Sequence, residues 1–288
     1  MLLVMLNGPI LSLGLTFSQI SQVIIEKELI YEILDAKSDA VNVNKPLKVV
    51  EFNNIEYKNV VFKYPFDEDS VIKNISFNIP KGKTIVIVGP TGSGKSTVVR
   101  QLLSEFNITK GHIYIDGKGI EEFNIQDVRN LVGYVPQSHI LFKGDVENNI
   151  RVGNPEAKQD KIQKAIHIAD FEKDLSNLSD GLMTEVGEKQ IISFARALVY
   201  QPSILVLDEE TANMDTETEI MIQEALEVVS KDRTMIVITH RLSTIREADN
   251  TFVLDHGNLI KKGNYNELIK QNGIYANMYR SQVTVESK

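Results

Sequence analysis

GPTGSGKST, residues Gly89 to Thr97, is the stretch on which the reading of the whole chain turns. It fits the spacing G-x-x-x-x-G-K-[ST] in full. The spacing has a physical reason. Glycines let backbone N–H groups approach phosphate oxygens, and a helix opening directly after the loop adds the positive end of its dipole. Lys95 supplies a cation with the reach for β- and γ-phosphates, and the Ser96 hydroxyl is a ligand for Mg2+. Gly89, Pro90, Thr91, Gly92, Ser93, Gly94, Lys95, Ser96 and Thr97 are therefore the candidate phosphate-binding residues.

Such a loop is diagnostic when a strand precedes it and a helix follows. Upstream, KTIVIVG (Lys83 to Gly89) is a short, unbroken apolar run, as expected of a strand buried on both faces. Downstream, STVVRQLLSEF (Ser96 to Phe106) has the apolar periodicity of a helix. Two further runs of the strand kind follow, SILVLDE (Ser203 to Glu209) and TMIVITH (Thr234 to His240). Residues 161–169, 189–200 and 217–230 read as helices between them. Before the loop, VVEFNNIEYKNVVFKY (Val49 to Tyr64) and SVIKNISFNIPKGK (Ser70 to Lys83) are β-branched and aromatic, the second ending in a Pro/Gly turn. Strands alternating with helices predict an α/β fold with a mostly parallel sheet covered on both faces.

The run SILVLDEE places two carboxylates at the end of a buried strand. Hydrolysis of a phosphoanhydride is mostly positioning plus charge stabilisation, so one carboxylate for the metal and one for the attacking water is the minimum set. Asp208 is the candidate for Mg2+, directly or through water, and Glu209 for polarising the water.

At this point a family resemblance is specific. Gly89 to Thr97 resembles a Walker A motif and Ile204 to Glu209 a Walker B motif. KQIISFARALVYQPSILVLDEETANMD (Lys189 to Asp215) is very similar to the nucleotide-binding domains of ABC exporters. The likeness covers about residues 49 to 285. It implies a P-loop NTPase fold: a RecA-like parallel sheet core, an antiparallel β subdomain and a helical subdomain at about 138–200, within an ATP-binding domain at 49–288. It also implies ATP and Mg2+ as cofactors, and hydrolysis coupled to export across a cell membrane with the ATPase domain on the cytoplasmic side. Position by position, Tyr64 in VVFKYP matches the aromatic residue that stacks on adenine, and Gln137 in GYVPQ the glutamine that senses Mg2+ and the γ-phosphate. Asp215 in TANMD matches the loop that crosses to a partner domain, and His240 in TMIVITHRLST the histidine that contacts the γ-phosphate. The implied catalytic residues are Glu209, His240 and Gln137, and the implied metal residues Ser96, Gln137 and Asp208. His112, His139, His167 and His256 match nothing in the family pattern.

One family element is missing. The exporter pattern runs from VGE through an LSGGQ-like signature to KQ and the FARAL helix. Here TEVGE (Thr184 to Glu188) joins KQIISFARAL directly, so the signature is absent between 188 and 189. In the family that signature completes the partner's ATP site. The resemblance therefore implies a half-transporter that forms a homodimer or, better, a heterodimer with a chain carrying an intact signature; the alternative is a nucleotide-binding but catalytically defective or truncated subunit that works only with a partner chain, or a decayed fragment.

The N-terminus stands apart. Met1 to Ile25 carries no charge and is long enough to span a bilayer, though Asn7, Gly8, Pro9 and several Ser and Gln interrupt it. From Ser18 to Leu34 the periodicity is helical, so the two stretches read as one helix over 1–34. NGPILSLGLTFSQISQVIIEKELIYEILD (Asn7 to Asp35) resembles the end of an exporter's last transmembrane helix and its stalk, and 35–48 reads as a polar linker. Composition sets the outer bounds. A chain of 288 residues without cysteine excludes disulfides and thiolate metal sites. A net charge of -8 provides no electrostatic footprint for a nucleic acid partner.

Overall fold

The computed structural model describes residues 2–34, 45–65, 67–137, 140–169, 171–172, 175, 180–184, 190–208, 228–231, 233–239, 242–271 and 275. The chain divides into two compact units, Met1–Asn42 and Val43–Lys288.

The described residues of the first unit form one helix, α1 (Leu2–Leu34), of 33 residues, as the joined periodicities predict. At 1.5 Å per residue it is about 50 Å long. Leu13, Phe17 and Val23 are exposed along it. No described helix is long and apolar enough to cross a membrane. Among the described residues the expectation of a span over Met1 to Ile25 is therefore not met, although α1 has the length for one. From Asn7 onward the stretch is interrupted by polar residues, Ser12, Thr16, Ser18, Gln19, Ser21 and Gln22. Two of their hydroxyls turn back on the helix itself, Thr16 donating to the Ser12 carbonyl at 2.9 Å and Ser21 to that of Phe17 at 3.0 Å.

The second unit holds two sheets. Strands β1 (Asn54–Phe62), β2 (Ile72–Pro80), β4 (Lys110–Ile115) and β5 (Lys118–Gly119) form an antiparallel sheet in the order β2-β1-β4-β5. Strands β3 (Thr84–Val88), β6 (Val132–Val135), β7 (Ile204–Asp208), β8 (Thr234–Ile238), β9 (Asn250–Asp255) and β10 (Asn258–Gly263) form the second, in the order β10-β9-β3-β8-β7-β6. Every pairing in it is parallel except β9 with β10. Helices α2 (Lys95–Leu102), α3 (Ile125–Asn130), α4 (Val146–Arg151), α5 (Gln159–Ile168), α6 (Gln190–Leu198), α7 (Leu242–Glu247) and α8 (Tyr265–Ile269), with two short 3-10 turns at Ile120–Glu122 and Gly181–Met183, accompany the sheets. This is the expected α/β architecture of a parallel core sheet, an antiparallel sheet and a helical region between β6 and β7.

The three apolar runs read as buried strands are β3, β7 and β8. Their residues part by alternation into two cores. Ile85, Ile87, Ile204, Val206, Ile236 and Ile238 enter one core with the antiparallel sheet and α2. Val86, Val88, Leu205, Leu207, Met235 and Val237 enter the other, with α4, α5 and α6. A side-chain period of two explains this: an apolar residue at every position is needed only when both faces are covered.

Three details depart from the sequence expectation. Helix α2 ends at Leu102 rather than running on to Phe106, and Ser104 takes a left-handed backbone (φ 49°) just beyond it. The linker's end is already part of the second unit: Leu47 bridges Phe123, its N–H donating to the Glu122 carbonyl at 2.9 Å. Of the helix expected over 217–230, only 228–230 lie within the described residues, and these are helical.

In the helical region, Arg196 of α6 donates to the Asn149 and Ile140 carbonyls, each at 2.9 Å, and to Asn149 Oδ1 at 3.1 Å. Asn149, itself buried, donates to the Phe142 and Asp145 carbonyls and accepts the Phe142 N–H at 2.8 Å. These bonds fix the chain that leaves β6 after Gln137.

Candidate functional site

The order β3-β8-β7-β6 sets four parallel strands side by side, so their carboxyl ends open on one edge. In open α/β sheets this edge is where ligands bind. Gly89 follows β3, Thr239 follows β8, Asp208 ends β7, and Gln137 lies two residues beyond β6. Register brings Asp208 level with Ile238, and Ile238 level with Ile87. Motifs spread over more than a hundred residues of sequence meet there. Val71, Thr91, Gly92, Gly94, Lys95, Ser96, Thr97, Gln137, Asp208 and Ile238 line a single cleft of about 220 Å³.

The loop that opens this cleft is shaped by its neighbours. Gly94 sits at φ 98° as the residue before α2, and a Cβ there would lie 2.7 Å from Ile72 Cδ1. Gly89 is at φ 156°, where a Cβ would lie 2.1 Å from the Leu254 carbonyl oxygen of β9. Gly89 is held to glycine by a fixed backbone oxygen and Gly94 by its left-handed backbone, which is why the two motif glycines are glycines. The Ser93 N–H donates to the Pro90 carbonyl at 3.1 Å, and the Ser93 carbonyl accepts from Gly257 N–H at 3.1 Å. Lys95 is buried, and its ammonium donates to the Gly89 carbonyl at 2.8 Å and the Pro90 carbonyl at 3.0 Å. The loop thus curls around its own cation. Below it, the buried Tyr57 hydroxyl donates to the Val98 carbonyl at 3.0 Å and ties α2 to the antiparallel sheet.

The arrangement fits a phosphate chain. It offers a cation, a helix N-terminus and a glycine cradle at one end of the cleft. It also fits Mg2+ in the way that ion is usually held, by one carboxylate and a hydroxyl together with phosphate oxygens and water. Ser96 and Asp208 line the same cleft. Among the described residues no group of three or more His, Cys, Asp or Glu could hold a metal unaided. A metal here would depend on the phosphates.

Of the other residues singled out in the sequence, Gln137 lines the cleft and is exposed. Tyr64 does not line it. Its ring packs edge-on against Phe62 and Phe106, and its hydroxyl lies 3.2 Å from Thr97 Oγ1, joining it to the cleft through that residue. Glu209, His240 and Asp215, and the 188–189 junction, lie outside the described residues, as does His139. His112, His167 and His256 are on the surface and do not line the cleft.

One residue of the site escaped the sequence reading. Tyr134 of β6 donates its hydroxyl to Asp208 Oδ2 at 2.9 Å. Burial first, and then the adjacent Asp208 carboxylate, hold this phenol above its ordinary range, so it remains a donor at any physiological pH. Its only signal in the sequence is its place three residues before Gln137.

Residues 72–212 match the family described as ABC transporter. The chain is 37% identical to the uncharacterized ABC transporter ATP-binding protein YknV of Bacillus subtilis, over 95% of this chain and 47% of that protein. It is 38% identical to the probable multidrug resistance ABC transporter ATP-binding/permease protein YheH of the same organism, over 95% of this chain and 42% of that one. Among solved structures it is similar to a bacterial Atm1-family ABC exporter with ATP bound. The TM-score is 0.81 at 34% identity, covering 94% of this chain and 49% of that one. The chain spans about half the length of the relatives it matches.

Proposed function

The chain belongs to the ABC transporter family, and on that premise we propose that it is the ATP-binding and ATP-hydrolysing part of an exporter, coupling MgATP to transport. The observation that carries this reading is the convergence of Lys95, Ser96, Gln137 and Asp208 on one cleft. ATP would lie with its phosphates on Gly89–Thr97 and its adenine toward Tyr64. Mg2+, held by Ser96 and Asp208 with Gln137 nearby, would supply neutralisation of phosphate charge. In this scheme Glu209 orients and polarises the attacking water, His240 contacts the γ-phosphate, and Gln137 reports its presence to the transmembrane part. The site belongs at a cell membrane with the ATPase domain on the cytoplasmic side, and α1 serves as the lead-in from the membrane.

Titration of the full chain with nucleotide, wild type against Lys95→Ala, tests the reading. Loss of binding in the variant is the expected result, and equal affinities would overturn it.

The direct junction of Glu188 with Lys189 adds a finer proposal. In a head-to-tail pair, each ATP needs donors from the partner's signature. A homodimer of this chain has none to offer, so the productive assembly is a heterodimer with a chain whose signature is intact. Removing one preorganised transition-state donor commonly costs about 2.7–4 kcal/mol, or about 10²–10³ in rate. The isolated chain is therefore expected to bind ATP and turn it over at least that much more slowly than a variant with a signature loop inserted between Glu188 and Lys189. If the unmodified chain matches the restored one, and Glu209→Gln abolishes the turnover of both, the signature is dispensable here.

A further inference from the structure

We propose that Tyr134 is a positioning residue for the metal end of the cleft: its hydroxyl engages one oxygen of Asp208 and so fixes how the other is presented to Mg2+. The proposal rests on the ATP-binding reading above, because it gives Asp208 its metal.

A carboxylate at a strand end rotates about two side-chain bonds unless something holds it. Asp208 is buried at the end of β7, yet among the described residues the hydrogen bond it makes is the one from Tyr134 at 2.9 Å. A charge-assisted O–H to carboxylate bond is among the stronger kinds and is directional. It engages Oδ2, so Oδ1 is the oxygen it does not hold on a residue that lines the cleft. The donor is itself well fixed. Tyr134 lies within the parallel β6–β7 pairing, opposite Val206, so two strands of backbone hydrogen bonds set where the ring begins. The ring is half-buried against the core formed with the antiparallel sheet, which sets where it ends. A phenol is the side chain that can do this from β6, since the distance from its backbone to Asp208 must be bridged by a rigid apolar body with a donor at the tip.

Position along the chain adds a second consequence. Gln137, which also lines the cleft, is three residues beyond Tyr134 on the same strand exit. The phenol bond thus joins the strand that delivers Gln137 to the strand that delivers Asp208. Groups that hold a metal ligand from behind commonly change metal affinity about 10–100-fold when removed. Tyr134 fits that description for a ligand whose metal is shared with a phosphate chain.

The test is Mg2+ dependence rather than turnover. The full chain is titrated with a fluorescent ATP analogue across Mg2+ concentrations and, separately, in EDTA. Tyr134→Phe keeps the ring and its packing and removes only the hydroxyl. The expected result is a rise of about 10–100-fold in the Mg2+ concentration giving half-maximal enhancement of binding, with affinity in EDTA unchanged. In an Asp208→Asn background the same change should have no further effect on Mg2+ dependence, because the two residues act as one unit. An unshifted Mg2+ midpoint would overturn the proposal. So would an equal loss with and without Mg2+, which is the mark of a packing role, or full additivity with Asp208→Asn. A wild-type chain that binds no nucleotide in either condition would instead remove the ATP-binding reading, and this proposal with it.

Discussion

Replacing Gly89 by alanine is the sharpest probe of how the phosphate loop is built. A Cβ at this position would lie 2.1 Å from the Leu254 carbonyl oxygen and 2.7 Å from Ser93 Oγ. The hydroxyl can rotate away, but the carbonyl belongs to β9 and is held by its pairing with β3, in which Val88 is level with Val253. Relief therefore requires the loop backbone to move by about an ångström. Overpacking of this kind costs about 1–3 kcal/mol, and a left-handed-side backbone conformation adds about 1–2 kcal/mol for a residue with a side chain. Gly92→Ala is the control. Its φ is 78°, but nothing lies within 4 Å of the added methyl, so it carries only the conformational part. Urea unfolding of both variants should thus place Gly89→Ala below Gly92→Ala by about 1–3 kcal/mol. Because the Gly89 carbonyl also anchors Lys95, nucleotide affinity should fall at least about tenfold in Gly89→Ala, equivalent to 1.4 kcal/mol. Equal stability for the two variants would refute the steric argument. Gly89→Ala with wild-type affinity would refute the link between loop backbone and lysine.

Two further outcomes follow from polar contacts outside the cleft. Asn149→Ala strands the Phe142 N–H and one Arg196 N–H that now bond to its carbonyl oxygen, and should lower stability by about 2–3 kcal/mol in urea unfolding, while Asn148→Ala on the same helix's exposed side should cost less. At Asp249, burial raises the carboxyl pKa, but the Lys83 hydrogen bond, the Thr84 N–H and the Lys83 charge outweigh it and hold the group below its ordinary range. A depressed pKa stabilises the fold above the unfolded value, about 3.9, and that contribution is lost as pH falls through the folded value. The same contacts raise the Lys83 pKa, the Asp249 hydrogen bond first and its charge second, so that contribution fades at the alkaline end, above about 10.4. The stability gap between wild type and Asp249→Asn, followed by unfolding midpoint against pH, should be present at pH 7 and close at both extremes. A gap that persists undiminished at pH 2 would contradict this.

Legibility from sequence followed the strength of the local signal. β3, β7 and β8 were legible because burial on both faces demands an apolar residue at every position, and few other settings do. The phosphate loop was legible because its glycines are required by contacts of the backbone itself. Strands β4, β6, β9 and β10 were not. β6 has only four residues, Val132–Val135, one of them glycine, too few to show a period. β9 and β10 form a hairpin whose turn residues, His256 and Gly257, both take positive φ (44° and 80°), the pattern of a tight two-residue turn. A histidine in that position is an uncommon turn signal. Tyr134 could not be found because its role depends on β6 lying beside β7, a neighbour relation between residues 74 apart in sequence. No period or motif encodes that.

The strand order has a metrical consequence. β3, which delivers the lysine loop, and β7, which delivers Asp208, are not neighbours; β8 runs between them, with Ile238 at its tip. Adjacent strands lie about 4.8 Å apart because the backbone hydrogen bond fixes that distance. The two halves of the site therefore stand on rails two intervals apart, about 9.6 Å. That gauge is set by peptide chemistry and not by any side chain. Substitutions can change what each rail presents, as at Lys95 or Asp208, but they cannot widen or narrow the track. A ligand that uses both ends must itself bridge the gauge, as an extended chain of linked phosphates does and a single phosphate does not.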